Sequence, residues 1–303
     1  MTKRTAALLV LVLGAVAVVA LLIRPDPVEH MPPGPRYVPV PRIEGAYMDF
    51  AQREDVVREV VTLNPMTQLP LADVGAGPRD NPVTTGQFGL QGWSRFVVNR
   101  DRAGLADAVR AAEWLIEHQG QDGAWRYDFA YEADPRAPMI PAGWVSGMAQ
   151  GHAMSLLVRL YDHVGDVRYL EAARAATKPL TVPIGEGGAL GDLGGMWFEI
   201  NPAGFHVLNA HMFTLIGLHD LAPYHRLAGE LYEAGRATLE ANLRLWDRGE
   251  RPPLYDLRHQ QLPVRRYQGD YDAEVEMLML ELNHHRPSPE IVRWMDRWFP
   301  SAT

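Results

Sequence analysis

The pattern Leu-x-x-Ala-x-x-Ala recurs three times, at Leu105/Ala108/Ala111, Leu170/Ala173/Ala176 and Leu231/Ala234/Ala237. Residues three apart share one face of a helix. The intervals of 65 and 61 residues are about right for two helices and their loops. Each copy follows another helical stretch, beginning near Gln87, His152 and His211. Alternating helix pairs at a constant period predict a mainly α fold with few short strands. The arrangement expected is an incomplete α/α toroid whose centre is lined by one helix of each pair. Leu and Ala at this spacing are also ordinary residues of any amphipathic helix.

Local punctuation refines the pairs. Phe50–Leu63 reads as a helix ended by Asn64-Pro65. Asn81-Pro82 opens a second, running to about Asn99, and Asp101 caps a third ending near Gln119. Trp125–Asp128 reads as a short strand after a turn. Gly165-Asp166 starts a helix that stops at Pro179, and helices are expected over 204–221, 224–247, 271–284 and 288–299. Gly185–Gly195 holds six glycines in eleven residues and is expected to be a loop.

The stretch Trp144–Tyr161 is helical in its second half, with Leu156, Leu157, Leu160 and Tyr161 on one side. Its first half places Ser146, Gly147, Ala149, Gly151 and Ala153 around Gln150 and His152. Glycine in a helix costs about 1 kcal/mol relative to alanine. Two of them imply close backbone approach, either to a neighbouring helix or to a ligand.

Thr5–Ile23 is an uninterrupted apolar run, long enough to span a bilayer, with Lys3 and Arg4 before it. It predicts a single-pass membrane anchor with the remainder outside the cytoplasm. A cleavable signal sequence is the competing reading, and would make the protein secreted. Arg24–Arg42 has seven prolines and should be an extended spacer. The expected organisation is therefore 1–23 anchor or signal, 24–42 linker and 43–303 helical catalytic domain. With no cysteine there is no disulfide framework and no thiolate site. A net charge of −8 argues against nucleic acid as a partner, so positive charge for an acidic ligand has to be local. Arg258, Arg265 and Arg266 are the obvious suppliers. There is no metal-ligand spacing, P-loop or dinucleotide fingerprint.

Leu254–His259 gathers a phenol (Tyr255), a guanidinium (Arg258) and an imidazole (His259) behind two prolines. An extended segment would alternate Tyr255, Leu257 and His259 against Asp256 and Arg258. From composition alone, this could equally be a surface Asp256–Arg258 pair beside a half-buried tyrosine.

Three motifs carry a family resemblance. Residues 143–161 (GWVSGMAQGHAMSLLVRLY), 207–221 (VLNAHMFTLIGLHDL) and 254–259 (LYDLRH) resemble, in order and spacing, the D-glucuronyl C5-epimerases of glycosaminoglycan-type polysaccharides. The likeness covers roughly 80–303 and implies the helical C-terminal domain of that family, without its β-rich insertion. It implies uronyl C5 epimerisation of an acidic, heparosan-like polysaccharide with no organic cofactor and no metal, and it is compatible with a homodimer. Removing a proton beside a carboxylate requires donors on that carboxylate and acid/base groups on both faces of the ring. By resemblance, Tyr255 and Tyr271 are the catalytic tyrosines and Arg258 contacts the substrate carboxylate, with His259, Trp144, Gln150 and Asn209 as further binding residues.

Two departures stand out. The family continues its second tyrosine with His-x-x-His, where this chain has Asp272-Ala273-Glu274-Val275, acids that would repel a uronate. Trp197–Pro202 resembles the family's Trp-Tyr-Glu-Glu-Tyr-Pro, but Ile200 and Asn201 occupy its active-site positions. Glu199 is the ionisable side chain left there and becomes the candidate opposite-face acid/base, or else a loop-edge solvating group. A polysaccharide lyase shares the C5 abstraction, and a catalytically decayed glycan-binding protein would retain Tyr255, Arg258 and Tyr271. His152 reads as a core histidine and His284-His285 as a solvated helix end. Trp93, Trp114, Trp144 and Trp197 could stack on sugars or fill the core.

Overall fold

The computed structural model describes residues 43–51, 60–75, 77–247, 249, 253–258 and 271–300. The apolar run and the proline-rich linker lie outside this set, as do His259, Arg265 and Arg266. Among the described residues no helix is long and apolar enough to cross a membrane.

The chain is mainly helical, and its helices come in pairs. The first pair is α1 (Pro82–Asn99) with α2 (Arg102–His118), followed by α3 (Gly147–Val164) with α4 (Val167–Ala175). Next come α5 (Leu208–Leu221) with α6 (Arg226–Asn242), and α7 (Tyr271–His285) with α8 (Pro289–Trp298). The caps are those the sequence announces. Asn81 accepts from the Val83 and Thr84 amides, Asp101 from Ala103, Ser146 from Ala149 and Asp166 from Arg168.

The first helices of successive pairs pack side by side, α1 on α3, α3 on α5 and α5 on α7. They run parallel. A Cβ on Gly86 would meet His152 and one on Gly89 would meet Leu156, while Asn209 meets Glu274 and His219 stacks on His285. Their amino termini therefore gather at one end of the molecule. In the helices that follow, Ala108, Ala111, Leu170, Ala173, Ala176 and Leu231 are buried as the repeat predicts, whereas Ala237 is exposed. Gly151 of α3 serves helix packing, since a Cβ there would lie 2.7 Å from the Phe213 carbonyl oxygen, whereas one on Gly147 would meet the Glu199 carbonyl at 3.0 Å.

The far end of α7 is anchored by a buried arginine. Arg236, 0% exposed, donates from Nη1 to the Leu282 carbonyl (2.6 Å) and from Nη2 to that of Arg286 (2.5 Å), while Nε bonds Glu240. Both carbonyls lie at the carboxyl end of α7, where that of Leu282 also accepts from the Arg286 amide at 3.2 Å. Fixing that end also fixes the helix that begins with Tyr271.

Several expectations require correction. The helix expected over Phe50–Leu63 does not reach its predicted end: residues 60–63 form β1 (Val60–Leu63), paired antiparallel with β2 (Pro70–Asp73), which pairs with β3 (Pro78–Asp80), while 52–59 lie outside the described residues. Val60, Val61 and Thr62 are β-branched and favour this pairing. Asn64-Pro65 is the hairpin corner, with the Met66 amide donating to Asn64 Oδ1. The glycine-rich stretch also holds structure. It contributes β4 (Leu190–Asp192), paired with β5 (Met196–Phe198). Trp125–Asp128 makes only an isolated bridge, Arg126 to Val145. His285 is no solvated end: its side chain is 4% exposed, hydrogen-bonded to Glu281 and stacked on His219.

Candidate active site

The segment after α6 returns to the end where the inner helices begin. The Leu254 amide donates to the Trp246 carbonyl, and the Leu257 amide to that of Phe205 at 2.9 Å. Val207, at the start of α5, provides no side-chain cap. The Leu208 amide donates instead to the Tyr255 carbonyl at 3.0 Å. Residues 205–208 and 255–257 thus lie alongside each other, and the helix start depends on the tyrosine segment.

Tyr271 is the first residue of α7, and its ring rests against that of Tyr255 with centroids 5.3 Å apart at 58°. Its hydroxyl donates to the Leu254 carbonyl at 3.3 Å. Two residues sixteen positions apart in sequence are thus brought into direct contact. One turn along α7, Glu274 accepts from Asn209 Nδ2 at 2.6 Å. That bond ties α5 to α7 and occupies Glu274, one of the two acids in the first turn of α7. Asp272 lies in the first turn of α7, where a carboxylate is favoured by the helix dipole. Arg258 is exposed, its guanidinium 5.8 Å from the Phe205 ring centre. Asp256 is buried while Arg258 is exposed, so the simple alternation expected of this segment does not hold.

Glu199 is 0% exposed and cannot touch a sugar directly, which corrects its assignment as the opposite-face acid/base. Its backbone is fixed on both sides, with the amide donating to the Ala189 carbonyl and the carbonyl accepting from the Gly147 amide. The carboxylate faces His206. Oε2 accepts from the His206 backbone amide at 3.1 Å, and Oε1 lies 2.6 Å from His206 Nδ1. The latter contact is off the line of the ring N–H, so these two buried atoms are at ion-pair distance without a linear hydrogen bond. Gly191 explains one glycine of the loop: a Cβ there would sit 2.8 Å from Glu199 Oε1. His206 escaped the sequence reading because its partner is seven residues away and its backbone, at φ 55°, is unusual for a residue other than glycine.

The other binding candidates sit elsewhere. Gln150 is fully buried and its amide is spent on the backbone, accepting from Trp125 and donating to Gly123 and Ala176. It braces the turn before α3, a correction to its role as a binding residue. Trp144 is stacked on Tyr127 at 3.6 Å and donates its indole N–H to Phe129, so its ring is already covered. Asn209 is 8% exposed and engaged with Glu274. His211 is held neutral by burial, its pKa pushed down to about 3, with Nδ1 accepting from Phe198 and Nε2 facing the Gly235 carbonyl. Trp93, Trp114 and Trp197 are core residues.

Two touching phenols, an exposed guanidinium and a half-buried imidazole beside a buried carboxylate thus lie on segments 205–208 and 253–258 and at the start of α7. Residues 119–299 match the family described as D-glucuronyl C5-epimerase C-terminus, and the chain belongs to that family. It is 33% identical over 211 residues to the D-glucuronyl C5-epimerase of Caenorhabditis elegans, covering 63% of this chain and 34% of that one. The chain thus spans about a third of the length of this relative.

Proposed function

We propose that this protein inverts C5 of glucuronyl residues in an acidic, heparosan-like polysaccharide. The observation that carries the reading is the contact between Tyr255 and Tyr271 at the end where α5 and α7 begin. Helix amino termini favour anions, and a uronate presents its carboxylate next to the carbon that reacts. Arg258 is the residue assigned to that carboxylate, two parallel donors matching its two oxygens. The phenols exchange protons with C5 from one side of the ring. The four hairpins are read as an incomplete α/α toroid with α1, α3, α5 and α7 as its inner wall. Thr5–Ile23 is read as the anchor that holds this domain outside the cytoplasm.

The test is incubation of the full chain with a panel of uronans in D2O, with NMR detection at C5. Deuterium incorporation with altered C5 configuration and unchanged chain length is the expected result. A growing ultraviolet absorbance with chain shortening would instead mark a lyase, and no incorporation across the panel would overturn the reading. A second reading, a catalytically silent uronan-binding protein, is favoured by Ile200 and Asn201. Asn201 Oδ1 is occupied by the Ala203 amide, and neither residue can serve as a base. Binding that persists in Tyr255→Phe and Tyr271→Phe, with no turnover in the parent, would establish it.

A further inference from the structure

Inversion at one carbon needs proton exchange on two opposite faces, and the two tyrosines do not provide both. A ring sandwiched between two others requires about 7–8 Å between their centres, since each carbon–carbon contact takes about 3.5–4 Å. Tyr255 and Tyr271 are 5.3 Å apart, already in contact, so a pyranose meets them from the same side. Glu199, the acid the sequence puts forward for the opposite face, is wholly buried.

We propose that His206, held by Glu199, is the acid/base group that meets C5 from the face opposite the tyrosines. The assignment rests on the epimerase reading above. Its side chain is 22% exposed, against 0% for Glu199. Glu199 meets it at two points, Oε2 accepting from the backbone amide and Oε1 lying 2.6 Å from Nδ1. With Nδ1 turned to the carboxylate, Nε2 is the nitrogen left for a substrate. His206 also lies within the segment 205–208 that runs beside 255–257, which places it next to the tyrosine-bearing strand of chain. Its left-handed backbone, φ 55°, follows Gly204 at φ 67° and is an uncommon conformation for histidine. The edge of Trp197 backs the ring, with centroids 6.0 Å apart at 86°.

In the step assigned to it, His206 Nε2 takes the C5 proton. The C5–H bond breaks, its electron pair passes into the C5–C6 bond, and the carboxylate becomes an enolate-like dianion. The imidazolium formed is stabilised by Glu199. A phenol of the Tyr255–Tyr271 pair then gives its proton to the other face, forming a new C5–H bond. Nothing is oxidised or reduced, and exchange with water restores both groups. The opposite epimer uses the same groups in reverse.

The experiment uses the full chain, an unsulfated alternating glucuronic acid–N-acetylglucosamine oligosaccharide and D2O. His206→Asn is the primary variant, because asparagine tolerates a left-handed backbone. It should lower epimerisation by roughly 10²–10⁴-fold. In the C5-inverted (iduronyl) oligosaccharide, supplied in parallel and with its C5 proton facing the tyrosines, deuterium should still enter without inversion. Tyr255→Phe should leave exchange in the other epimer. Histidine nitrogen NMR supplies a readout independent of turnover: Nδ1 of His206 should be the protonated nitrogen in the parent, with that preference lost in Glu199→Gln. If the parent turns over and His206→Asn keeps pace, or if Nε2 carries the proton regardless of Glu199, the assignment to His206 falls alone. If the parent exchanges no C5 proton, the epimerase reading falls and takes the assignment with it.

Discussion

Gly151 and Gly217 stand backbone to backbone where α3 crosses α5: a Cβ on Gly217 would lie 2.2 Å from the Gly151 carbonyl oxygen. Neither helix can retreat easily, because α3 also packs on α1 and α5 on α7. Gly217→Ala should therefore destabilise the fold by about 1–3 kcal/mol or more, lowering Tm by roughly 4–10 °C. Gly185→Ala is the matched control, since nothing lies within 4 Å of its Cβ position. Thermal unfolding of the two variants checks the difference, and equal Tm values would count against the crossing.

Arg258 is exposed and fills no part of the core. Arg258→Ala and Arg258→Lys should both leave Tm within about 2 °C of the parent. Both should lower turnover on a uronan by roughly 10²–10³-fold, because lysine cannot replace two parallel donors that strengthen as charge develops. Steady-state kinetics of the lysine variant decides the point. Turnover near the parent value would remove Arg258 from the site.

Tyr271→Phe removes one hydroxyl whose contact with the Leu254 carbonyl, at 3.3 Å, is that of a weak hydrogen bond. The cost in stability should be about 1 kcal/mol or less. A loss of turnover of roughly 10²-fold or more is expected alongside it, as for removal of an acid/base group. Paired measurements of kcat and urea unfolding separate the two effects. A fall in stability that accounts for the whole fall in activity would reduce Tyr271 to a structural role.

Burial pushes the pKa of His152 down to about 3, and neither of its ring nitrogens has a hydrogen-bond partner among the described residues. Unfolded, the same imidazole titrates near 6.5, so between about pH 6.5 and 3 the unfolded chain binds the extra proton. Stability is therefore fully present above pH 6.5 and is lost as pH falls. His152 contributes about 2 kcal/mol of that loss by pH 5, and His211, lowered to about 3 as well, contributes similarly. His152→Leu should leave stability at pH 7 unchanged or higher and shrink the difference between pH 7 and pH 5 by about 2 kcal/mol. Urea unfolding at both pH values measures it. An undiminished difference would show that His152 is not the group that titrates.

From Pro82 onward, the sequence by itself determined the helices and their pairing. Caps such as Asn81, Asp101, Ser146 and Asp166 act within a few residues, and the 61–65-residue recurrence of small apolar faces is a one-dimensional signal. It also pointed to Tyr255, Tyr271 and Arg258, through motifs confined to short stretches. What it could not determine were contacts set by distant backbone. Val60–Leu63 became a strand because Pro70–Asp73 was there to pair with it. Gln150 looked like a ligand-facing amide until three backbone groups from two other segments claimed it. Glu199 looked available because a sequence does not show that Gly147, Ala189 and His206 enclose it. The same enclosure brought His206 forward. A side chain's pKa, exposure and reach depend on which groups surround it in space, and in this protein those groups come from different helices and the hairpin between them.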